Sequence, residues 1–294
     1  MSSPLLSIII PTHNRPQLVQ RAVQSALEQT AKEIEVIVVD DASTEPVILP
    51  SQSNLKLIRL QPGRGGAGAR NVGTEAAQGR WVTYLDDDDR LLPHMASVSL
   101  QALLTTTFSP PIAIISGIEV INTQGKVLRV RTPPSVRLKG CHFALEDLEP
   151  QYSYNTKQTM VVERAIIQKI GGWDETFRSR VHSELFLRLN SACSILGLPI
   201  VTYQLYSHDA DRVSRNGILR QESFRRLITK HQTAFRAHPK RFASFILEHA
   251  HSSYRMGQKQ AAISSLLWAL RIHPQQTLAQ SFSILRHSAY SMFL

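Results

Sequence analysis

Four consecutive aspartates, Asp86 to Asp89, directly follow the apolar residues 81–85. Adjacent carboxylates repel one another, so such a cluster at a strand end indicates a counter-ion. A hard divalent cation fits, because Mg²⁺ takes one or two carboxylates and fills its other positions with water and phosphate oxygens. Strand alternation places Asp86 and Asp88 on one face and Asp87 on the other. The alternative interpretation is an acidic cap on the helix that follows.

Polar residues also follow other apolar runs. Pro11, Thr12 and Arg15 come at the end of one run, and Asp41 comes at the end of another. In open α/β sheets the ligand crevice lies just beyond the carboxyl ends of the strands. We therefore expect the three polar clusters to line one site.

The elements that must position these residues follow from hydrophobic periodicity. In the first hundred residues short apolar runs alternate with amphipathic segments of helical length, which is typical of βαβ units on a parallel sheet. The later chain predicts a hairpin, two more helices and then helices to the end. The predicted strands are 6–10, 35–39, 55–60, 81–85, 112–121 and 126–131, and the predicted helices are 16–29, 66–77, 93–104, 163–170 and 182–196.

The length of 294 residues and the change of rhythm indicate two domains. Residues 1–217 form the main α/β domain, and residues 218–294 form a C-terminal helical appendage packed on it. Small or apolar residues at Ala262, Leu266 and Ala269, with Pro274 closing the run, resemble the second half of a tetratricopeptide hairpin.

A net charge of +10 favours polyanionic partners: nucleic acid, anionic lipid or diphosphate substrates. The basic residues form no compact run, so specific nucleic-acid binding is not expected, whereas peripheral contact with an anionic membrane stays open. The sequence shows no export signal and no apolar stretch of spanning length. We expect a cytoplasmic protein, free or peripheral at the inner face of the membrane, with Cys141 and Cys193 as reduced thiols.

Five segments in chain order carry a family resemblance: SIIIPTHNR, VIVVDDAST, GGAGARNVG, WVTYLDDDD and GGWDE. Together they resemble family 2 glycosyltransferases, over about residues 5–215. The resemblance implies an α/β fold with a mostly parallel central sheet of the nucleotide-sugar transferase type A, which is Rossmann-like. Within the main domain it implies a nucleotide-sugar half, 1–108, and an acceptor half, 109–217. It also implies an activated sugar donor and inverting single displacement.

The resemblance also implies residue roles. His13 stands where an aromatic residue often meets the nucleobase, and Asp41 where a carboxylate accepts the imide hydrogen of the base. Asp86 matches the residue near the ribose, and Asp88 matches the metal ligand, for Mg²⁺ or Mn²⁺. A turn residue at His13 and a helix cap at Asp41 are the alternatives.

Two arginines are candidates for contact with the donor diphosphate. Arg70 and Arg64 can each bind phosphate oxygens in a bidentate manner, or can pair with a nearby Asp or Glu. Near the end of the domain, His208 and Arg212 lie in a segment that resembles the loop closing over the donor. There His208 can complete the metal shell and Arg212 can follow the leaving diphosphate. The predicted donor site is Pro11, Thr12, His13, Arg15, Asp41, Arg64, Arg70, Asp86, Asp87 and Arg212, with Asp88 and His208 as metal ligands.

The sequence departs from the family at the general base. Many members carry Glu-Asp before an apolar stretch that ends in Leu-Arg, with the Asp removing the acceptor proton. Here His182 stands at the expected position and Glu184 two residues later, and both residue types serve as general bases. Glu184 also precedes Arg188 by four residues, so a surface ion pair is its alternative role.

These observations predict a metal-dependent inverting glycosyltransferase that moves a sugar from a nucleotide diphosphate sugar to a hydroxyl acceptor, either a glycan, a lipid-linked sugar or a polysaccharide intermediate. Two rivals remain. An inactive binding module is supported by the missing Glu-Asp. A nucleotidyltransferase is disfavoured because the segment after the first strand lacks a Gly-rich, basic phosphate loop.

Overall fold

The computed structural model of the chain describes residues 3–207 and 216–290, with side chains described up to residue 282. The chain divides into two compact units: an α/β unit, residues 3–143 with 148–207, and a helical unit, residues 144–147 with 216–290. His208 and Arg212 lie outside the described residues. None of the helices in these ranges combines the length and the apolar character that crossing a bilayer requires.

The α/β unit is built on one mixed sheet. Its strand order is β3-β2-β1-β4-β9-β6-β10-β5, with β7 beside β6 and β8 beside β10. Parallel ladders hold most of the paired residues. The strands are β1 Leu6–Thr12, β2 Ile34–Asp40, β3 Leu55–Arg59, β4 Trp81–Tyr84, β5 Arg90–Leu91, β6 Ile112–Asn122, β7 Val127–Arg131, β8 Val136–Arg137, β9 Val161–Glu163 and β10 Ser194–Ser207.

Strand β1 is central because its sequence is apolar on both faces. All seven of its residues are buried, and it pairs in parallel with β2 on one side and β4 on the other. Burying an Ile or Leu side chain stabilises the fold by roughly 1.5–3 kcal/mol, so this strand anchors the core. Its carboxyl end therefore holds Thr12 and the residues after it in a fixed place.

Five helices complete the α/β unit: α1 Pro16–Leu27, α2 Gly65–Ala76, α3 Met95–Thr105, α4 Arg164–Lys169 and α5 Val181–Ala192. Helix α1 begins with proline at its first position, where the missing N–H costs no hydrogen bond. Its apolar residues Val19, Ala22, Val23 and Ala26 recur at three and four residue intervals and are buried in the core. The polar segment before Pro16 is thereby fixed at the edge of the sheet.

The short strand β9 reverses direction between two parallel groups. It pairs antiparallel with β4 on one side and with β6 on the other. Strand β6 therefore runs in the same direction as β4, and β10 pairs in parallel with β6. As a result, the carboxyl ends of β1, β2, β4, β6 and β10 point toward one edge of the sheet.

The predicted α/β fold with a C-terminal set of helices is confirmed, with local corrections. The predicted helix 182–196 stops at Ala192, because Cys193 is extended and the following residues form β10 beside β6. The predicted helix 93–104 starts two residues later, at Met95. Glu163, expected in a helix, ends β9.

The helical unit contains α6 Gly217–Lys230, α7 Gln232–Ala237, α8 Pro239–Arg255, α9 Lys259–Ile272 and α10 Pro274–Tyr290. Aromatic side chains form its core: Phe235 packs on Phe242 with ring centroids 4.9 Å apart, and Trp268 lies edge-on to Phe242 at 5.7 Å. Within α9, Ala262 and Ala269 are buried, whereas Leu266 is exposed. The helices thus have an apolar core of their own.

Candidate active site

The four aspartates form a tight turn after β4. The strand ends at Tyr84, and the backbone N–H of Asp89 donates to the carbonyl of Asp86 at 3.0 Å. The side chains are therefore separated by turn geometry, and the strand alternation that we expected for them does not apply. Asp87, Asp88 and Asp89 are buried, and Asp86 is partly exposed.

Asp87 turns toward β1 and the start of α1. It accepts hydrogen bonds from the Thr12 hydroxyl at 2.8 Å and from the Arg15 guanidinium at 2.9 Å. Burial raises the pKa of Asp87, although the ion pair with Arg15 and the bond from Thr12 oppose this effect. Asp87 thus joins two of the three polar clusters and fixes the acidic turn against the first strand. The buried Pro11, directly before Thr12, belongs to the same strand end.

The other three carboxylates form a group that suits a divalent cation. Oxygen atoms of Asp86, Asp88 and Asp89 lie within 4.8 Å of one another, and all are hard ligands of the kind that Mg²⁺ and Mn²⁺ accept. Arg70 pairs with Asp86, and Arg15 lies 3.4 Å from Asp88. These arginines balance part of the negative charge.

Asp89 connects the turn to β10. Its carboxylate accepts a hydrogen bond from the Tyr203 hydroxyl at 2.9 Å and from the backbone N–H of Tyr206 at 3.0 Å. Burial raises the pKa of Tyr203, so its phenol stays protonated and donates. Arg21 lies over the Tyr206 ring at 3.8 Å and donates to the carbonyl of Asp88 at 2.7 Å. None of Asp89, Arg21 and Tyr206 was assigned a role from the sequence.

His13 and Asp41 meet where β1 and β2 end. The Nδ1 atom of His13 lies 2.7 Å from the carbonyl oxygen of Asp41, and its Nε2 lies 2.9 Å from the amide nitrogen of Asn14. A carbonyl only accepts and an amide nitrogen only donates, so this pattern fits the Nδ1–H tautomer. His13 is exposed, and its ring is held at the mouth of the site.

Arg64 was a candidate for the diphosphate, and the structure places it in an ion pair. Its guanidinium donates to Glu175 through Nε at 3.1 Å and Nη2 at 2.5 Å, while its backbone N–H donates to Oδ1 of Asp41 at 2.6 Å. These bonds raise the pKa of Arg64 and lower that of Glu175. A Cβ at Gly68 would overlap the Arg64 side chain, so glycine is needed on this turn of α2.

Arg70 lies deeper than Arg64. It donates to the carbonyl of Gly66 at 2.8 Å, pairs with Asp86, and lies 5.1 Å from the centre of the Trp173 ring. Its Nε is buried and has no hydrogen-bond partner among the described residues. Arg70 is thus a buried cation beside the acidic turn, and its Nε–H makes no hydrogen bond within the described part of the chain.

His182 is the second residue of α5, is partly exposed, and lies within range of charge interaction with Asp86 of the acidic turn. Its ring packs edge-on against Trp173, and it has no hydrogen bond within the described part of the chain. Burial is the main cause of a low pKa for His182, about 4. The Asp86 carboxylate opposes this shift, whereas Arg70 and Lys157 add to it. The imidazole is therefore neutral at physiological pH, and one of its two ring nitrogens has a lone pair that can accept a proton.

Glu184 has a different environment. It is fully buried, and both of its oxygens accept from Arg188, at 2.7 Å from Nε and 2.5 Å from Nη2. Arg188 also donates to the carbonyls of Ile170 and Gly172. The ion pair expected four residues apart is present, but it is buried where a surface pair was expected. It holds the glycine turn that precedes Trp173.

The structure thus brings most of the predicted residues to one edge of the sheet. Thr12, Arg15, Asp87 and Asp88 form one hydrogen-bonded cluster. A second cluster links Arg70 to Asp86, with His182 close enough for charge interaction with both. Asp41 and Arg64 form a third group. The arrangement offers cations for phosphate, carboxylates for a metal ion or a sugar hydroxyl, and one neutral imidazole.

Comparison with known proteins finds a matching family model, related sequences and a related fold. Residues 7–138 match the model of Glycosyl transferase family 2, a segment that includes β1, β2, β4 and the acidic turn. An uncharacterized glycosyltransferase of Haemophilus influenzae is 28% identical over 201 residues, which are 63% of this chain and 62% of the relative.

An Escherichia coli relative has a more specific name, UDP-Glc:alpha-D-GlcNAc-diphosphoundecaprenol beta-1,3-glucosyltransferase WfgD. It is 30% identical over 149 residues, which are 48% of this chain and 58% of the relative. The chain therefore spans less than two thirds of the length of these curated relatives.

Among solved structures, a Staphylococcus aureus TarS fragment in complex with UDP-GlcNAc has a TM-score of 0.64. The match covers 93% of this chain and 83% of that one, at 17% sequence identity. At this identity the likeness shows a shared fold.

Proposed function

Because this chain belongs to glycosyl transferase family 2 and has the type A fold, we propose that it transfers a sugar from a nucleotide diphosphate donor to a hydroxyl acceptor, with inversion. The observation that carries the proposal is the position of His182. A neutral imidazole with no hydrogen-bond partner among the described residues lies within range of charge interaction with Asp86, which follows a strand end where ligands bind in such sheets. An interaction platform has no need for such a group.

The donor nucleotide is assigned to the edge formed by β1 and β2. Oδ1 of Asp41 holds the N–H of Arg64, and Oδ2 has no hydrogen-bond partner among the described residues. A carboxylate oxygen accepts the imide hydrogen of uracil, which cytosine lacks. The E. coli relative is named for UDP-Glc. We therefore propose a uridine diphosphate sugar as donor, with the His13 ring beside the base.

The diphosphate is assigned to the acidic turn and the arginines beside it. Asp86, Asp88 and Asp89 would hold Mg²⁺ or Mn²⁺, which when bound supplies positive charge to the departing diphosphate. Arg70 is the arginine best placed to assist, because it already pairs with Asp86, one of the three carboxylates of this group. Arg64 is less suited, since Glu175 already occupies two of its donors. Arg15 keeps Asp87 and Asp88 in position.

The acceptor is assigned to the His182 side of the site. In this mechanism His182 accepts the proton of the acceptor hydroxyl as that oxygen attacks the anomeric carbon from the face opposite the diphosphate. One displacement inverts the anomeric centre and forms no covalent enzyme intermediate. A lipid-linked saccharide is the acceptor class that we propose, because the E. coli relative is named for a diphosphoundecaprenol acceptor.

The test begins with donor binding by the full chain. UDP-glucose and UDP-GlcNAc in Mn²⁺ should raise the melting temperature, and the matched CDP- and GDP-sugars should raise it less, because a ligand of the native state stabilises it. Asp41→Asn keeps an acceptor oxygen for Arg64 but loses the charge, so it should weaken the preference for uridine. An equal response to cytidine and uridine donors would refute the base assignment.

Transfer is then measured with undecaprenyl diphosphate-linked GlcNAc and the donor that binds. Release of UDP together with a glycosylated lipid of inverted anomeric configuration supports the enzyme. Donor binding without transfer to any of a panel of lipid-linked sugars supports the binding module. Formation of a nucleotide sugar from UTP and a sugar phosphate would instead identify a nucleotidyltransferase.

A further inference from the structure

The positive charge of the chain is concentrated in the helical unit. Residues 216–290 contain eleven of the 33 Lys and Arg residues but two of the 23 Asp and Glu residues. This segment therefore has a formal charge of +9, out of +10 for the whole chain. The rest of the chain is nearly neutral, so the attraction to polyanions comes from these helices.

Much of this charge is available to a partner. Six of the cations are exposed and have no ion-pair partner among the described residues: Arg225, Arg226, Arg236, Arg255, Lys259 and Arg271. Lys240, by contrast, pairs with Asp147 at 3.2 Å. Like charges on one small unit repel, and an external anion relieves this repulsion.

Helix α9 combines such cations with exposed apolar residues. Ile263 is 60% exposed and Leu267 is 50% exposed. They lie four residues apart, in the same row of the helix as Lys259 and Arg271, which are also exposed. The row therefore has two apolar side chains in the middle and a cation at each end.

The opposite side of α9 is already packed inside the helical unit. Ala262, Ser265 and Ala269 are buried. The apolar row is thus left uncovered by the helix's own unit. After the single residue His273, α10 begins, and there Leu278 and Phe282, again four residues apart, are 50% and 63% exposed.

We propose that α9 and the first turns of α10 dock on an anionic lipid surface. The exposed apolar side chains enter the boundary between headgroups and acyl chains, while Lys259 and Arg271 reach the lipid phosphates with their long side chains. The surface thus recognises a membrane that carries a net negative charge. This inference rests on the helical unit and is independent of the transferase reaction.

The charge also argues against other occupants of the same face. A second copy of the chain would bring two units of +9 together, and their repulsion opposes a dimer through this face. A nucleic acid would satisfy the cations, but its phosphate backbone would leave Ile263, Leu266 and Leu267 exposed to water. A lipid surface satisfies both features.

The test is sedimentation of the full chain with vesicles at near-physiological salt, without donor or acceptor. The protein should sediment with vesicles of phosphatidylcholine that contain about 30% phosphatidylglycerol. Vesicles of pure phosphatidylcholine should bind it roughly tenfold less, because each Lys or Arg near an anionic surface raises the affinity about fivefold. Ile263→Ser with Leu267→Ser should lower binding to the anionic vesicles by roughly tenfold or more. Lys259→Glu with Arg271→Glu should do the same.

Matched controls carry the same changes elsewhere. Ile48→Ser with Leu104→Ser alters two exposed apolar residues of the α/β unit, and Lys32→Glu with Lys126→Glu changes the net charge equally. Both controls should bind like the wild type, and circular dichroism should show all variants folded. The proposal is overturned if wild type ignores anionic vesicles, if the controls lose binding equally, or if light scattering shows a dimer that the Ile263 and Leu267 changes dissociate.

Discussion

The imidazole of His182 packs edge-on against the indole of Trp173, with ring centroids 5.0 Å apart and an interplanar angle of 85°. Trp173 in turn meets Tyr84, the last residue of β4, at 4.8 Å. The candidate base on α5 is therefore positioned through two aromatic contacts by the strand that carries the acidic turn. Such a contact fixes the ring without occupying either of its nitrogen atoms.

Replacing His182 tests its role as the base. His182→Ala should lower kcat by ~10²–10⁴ and leave the Kd of the donor nearly unchanged, because a general base acts in the transfer step. Since burial lowers the pKa of His182 to about 4, the wild-type rate should be level from pH 8 to about 5 and fall only as the pH approaches 4. Pre-steady-state transfer rates across this range are the measurement.

A suitable control for that series is His251→Ala, an exposed histidine in the helical unit. It should keep the wild-type rate. Wild-type turnover in His182→Ala, with chemistry shown to be rate-limiting, would exclude the imidazole as base. An acid limb near ~6.5, the unperturbed value for histidine, would contradict the lowered pKa of His182.

Metal dependence is tested at Asp88. Asp88→Asn keeps an oxygen and the volume of the side chain but removes a charge from the group of three carboxylates. It should lose at least ~10-fold in Mn²⁺-dependent donor affinity, measured by calorimetry, while folding is preserved. Asp147→Asn, an exposed aspartate of the helical unit, is the control. Donor affinity that is the same in EDTA and in Mn²⁺ would argue against the cation.

Glu184→Gln separates a positioning residue from a base. Removing one charge of a buried pair typically costs 3–5 kcal/mol, so the urea midpoint of unfolding should fall clearly because Arg188 loses its partner. Turnover per folded molecule should fall far less than in His182→Ala. Glu184→Asp, which keeps the charge, should recover part of the stability.

The matched control for the Glu184–Arg188 pair is Glu163→Gln, which breaks the more exposed ion pair between Glu163 and Arg80. It should cost about 1 kcal/mol or less, since water screens exposed pairs. A Glu184→Gln protein of wild-type stability that has lost transfer would reverse the assignment and make Glu184 the base.

The division into two units leads to a truncation test. Because Phe235, Phe242 and Trp268 give the helices their own aromatic core, a chain ending at residue 216 should keep the donor affinity of the full chain within about threefold and should remain monomeric. Calorimetry and size-exclusion chromatography measure both. Aggregation of the truncated protein would show instead that the appendage covers apolar surface of the α/β unit.

Much of the fold could be predicted because its signals are local. The apolar runs that became β1, β2 and β4 are continuous and end in polar residues, so both the strands and the shared edge follow from periodicity. The acidic cluster at a strand end is predicted for the same reason, because four aspartates directly follow an apolar run. The geometry within this cluster could not be predicted, because a run of four aspartates does not indicate where the strand ends and the turn begins.

The remaining features depend on contacts that are distant in the chain. Strand β10 pairs with β6 about eighty residues earlier, and its first residues continue the helical pattern of α5, so periodicity extended the helix too far. The burial of Glu184 depends on the glycine turn that Arg188 holds. Asp89 received no role because its partner Tyr203 lies 114 residues away. The pKa of His182 depends on tertiary packing.

The antiparallel strand β9 divides the sheet into two groups of parallel strands. Because β9 is antiparallel to both neighbours, it contributes no carboxyl end to the candidate site. It lies between β4, which precedes the acidic turn, and the pair β6 and β10. Changes in the segment after β6 would therefore leave the pairing of β1 with β2 and β4 in place. Under the proposed function, the acceptor side of this sheet can vary while the donor side keeps its strand register.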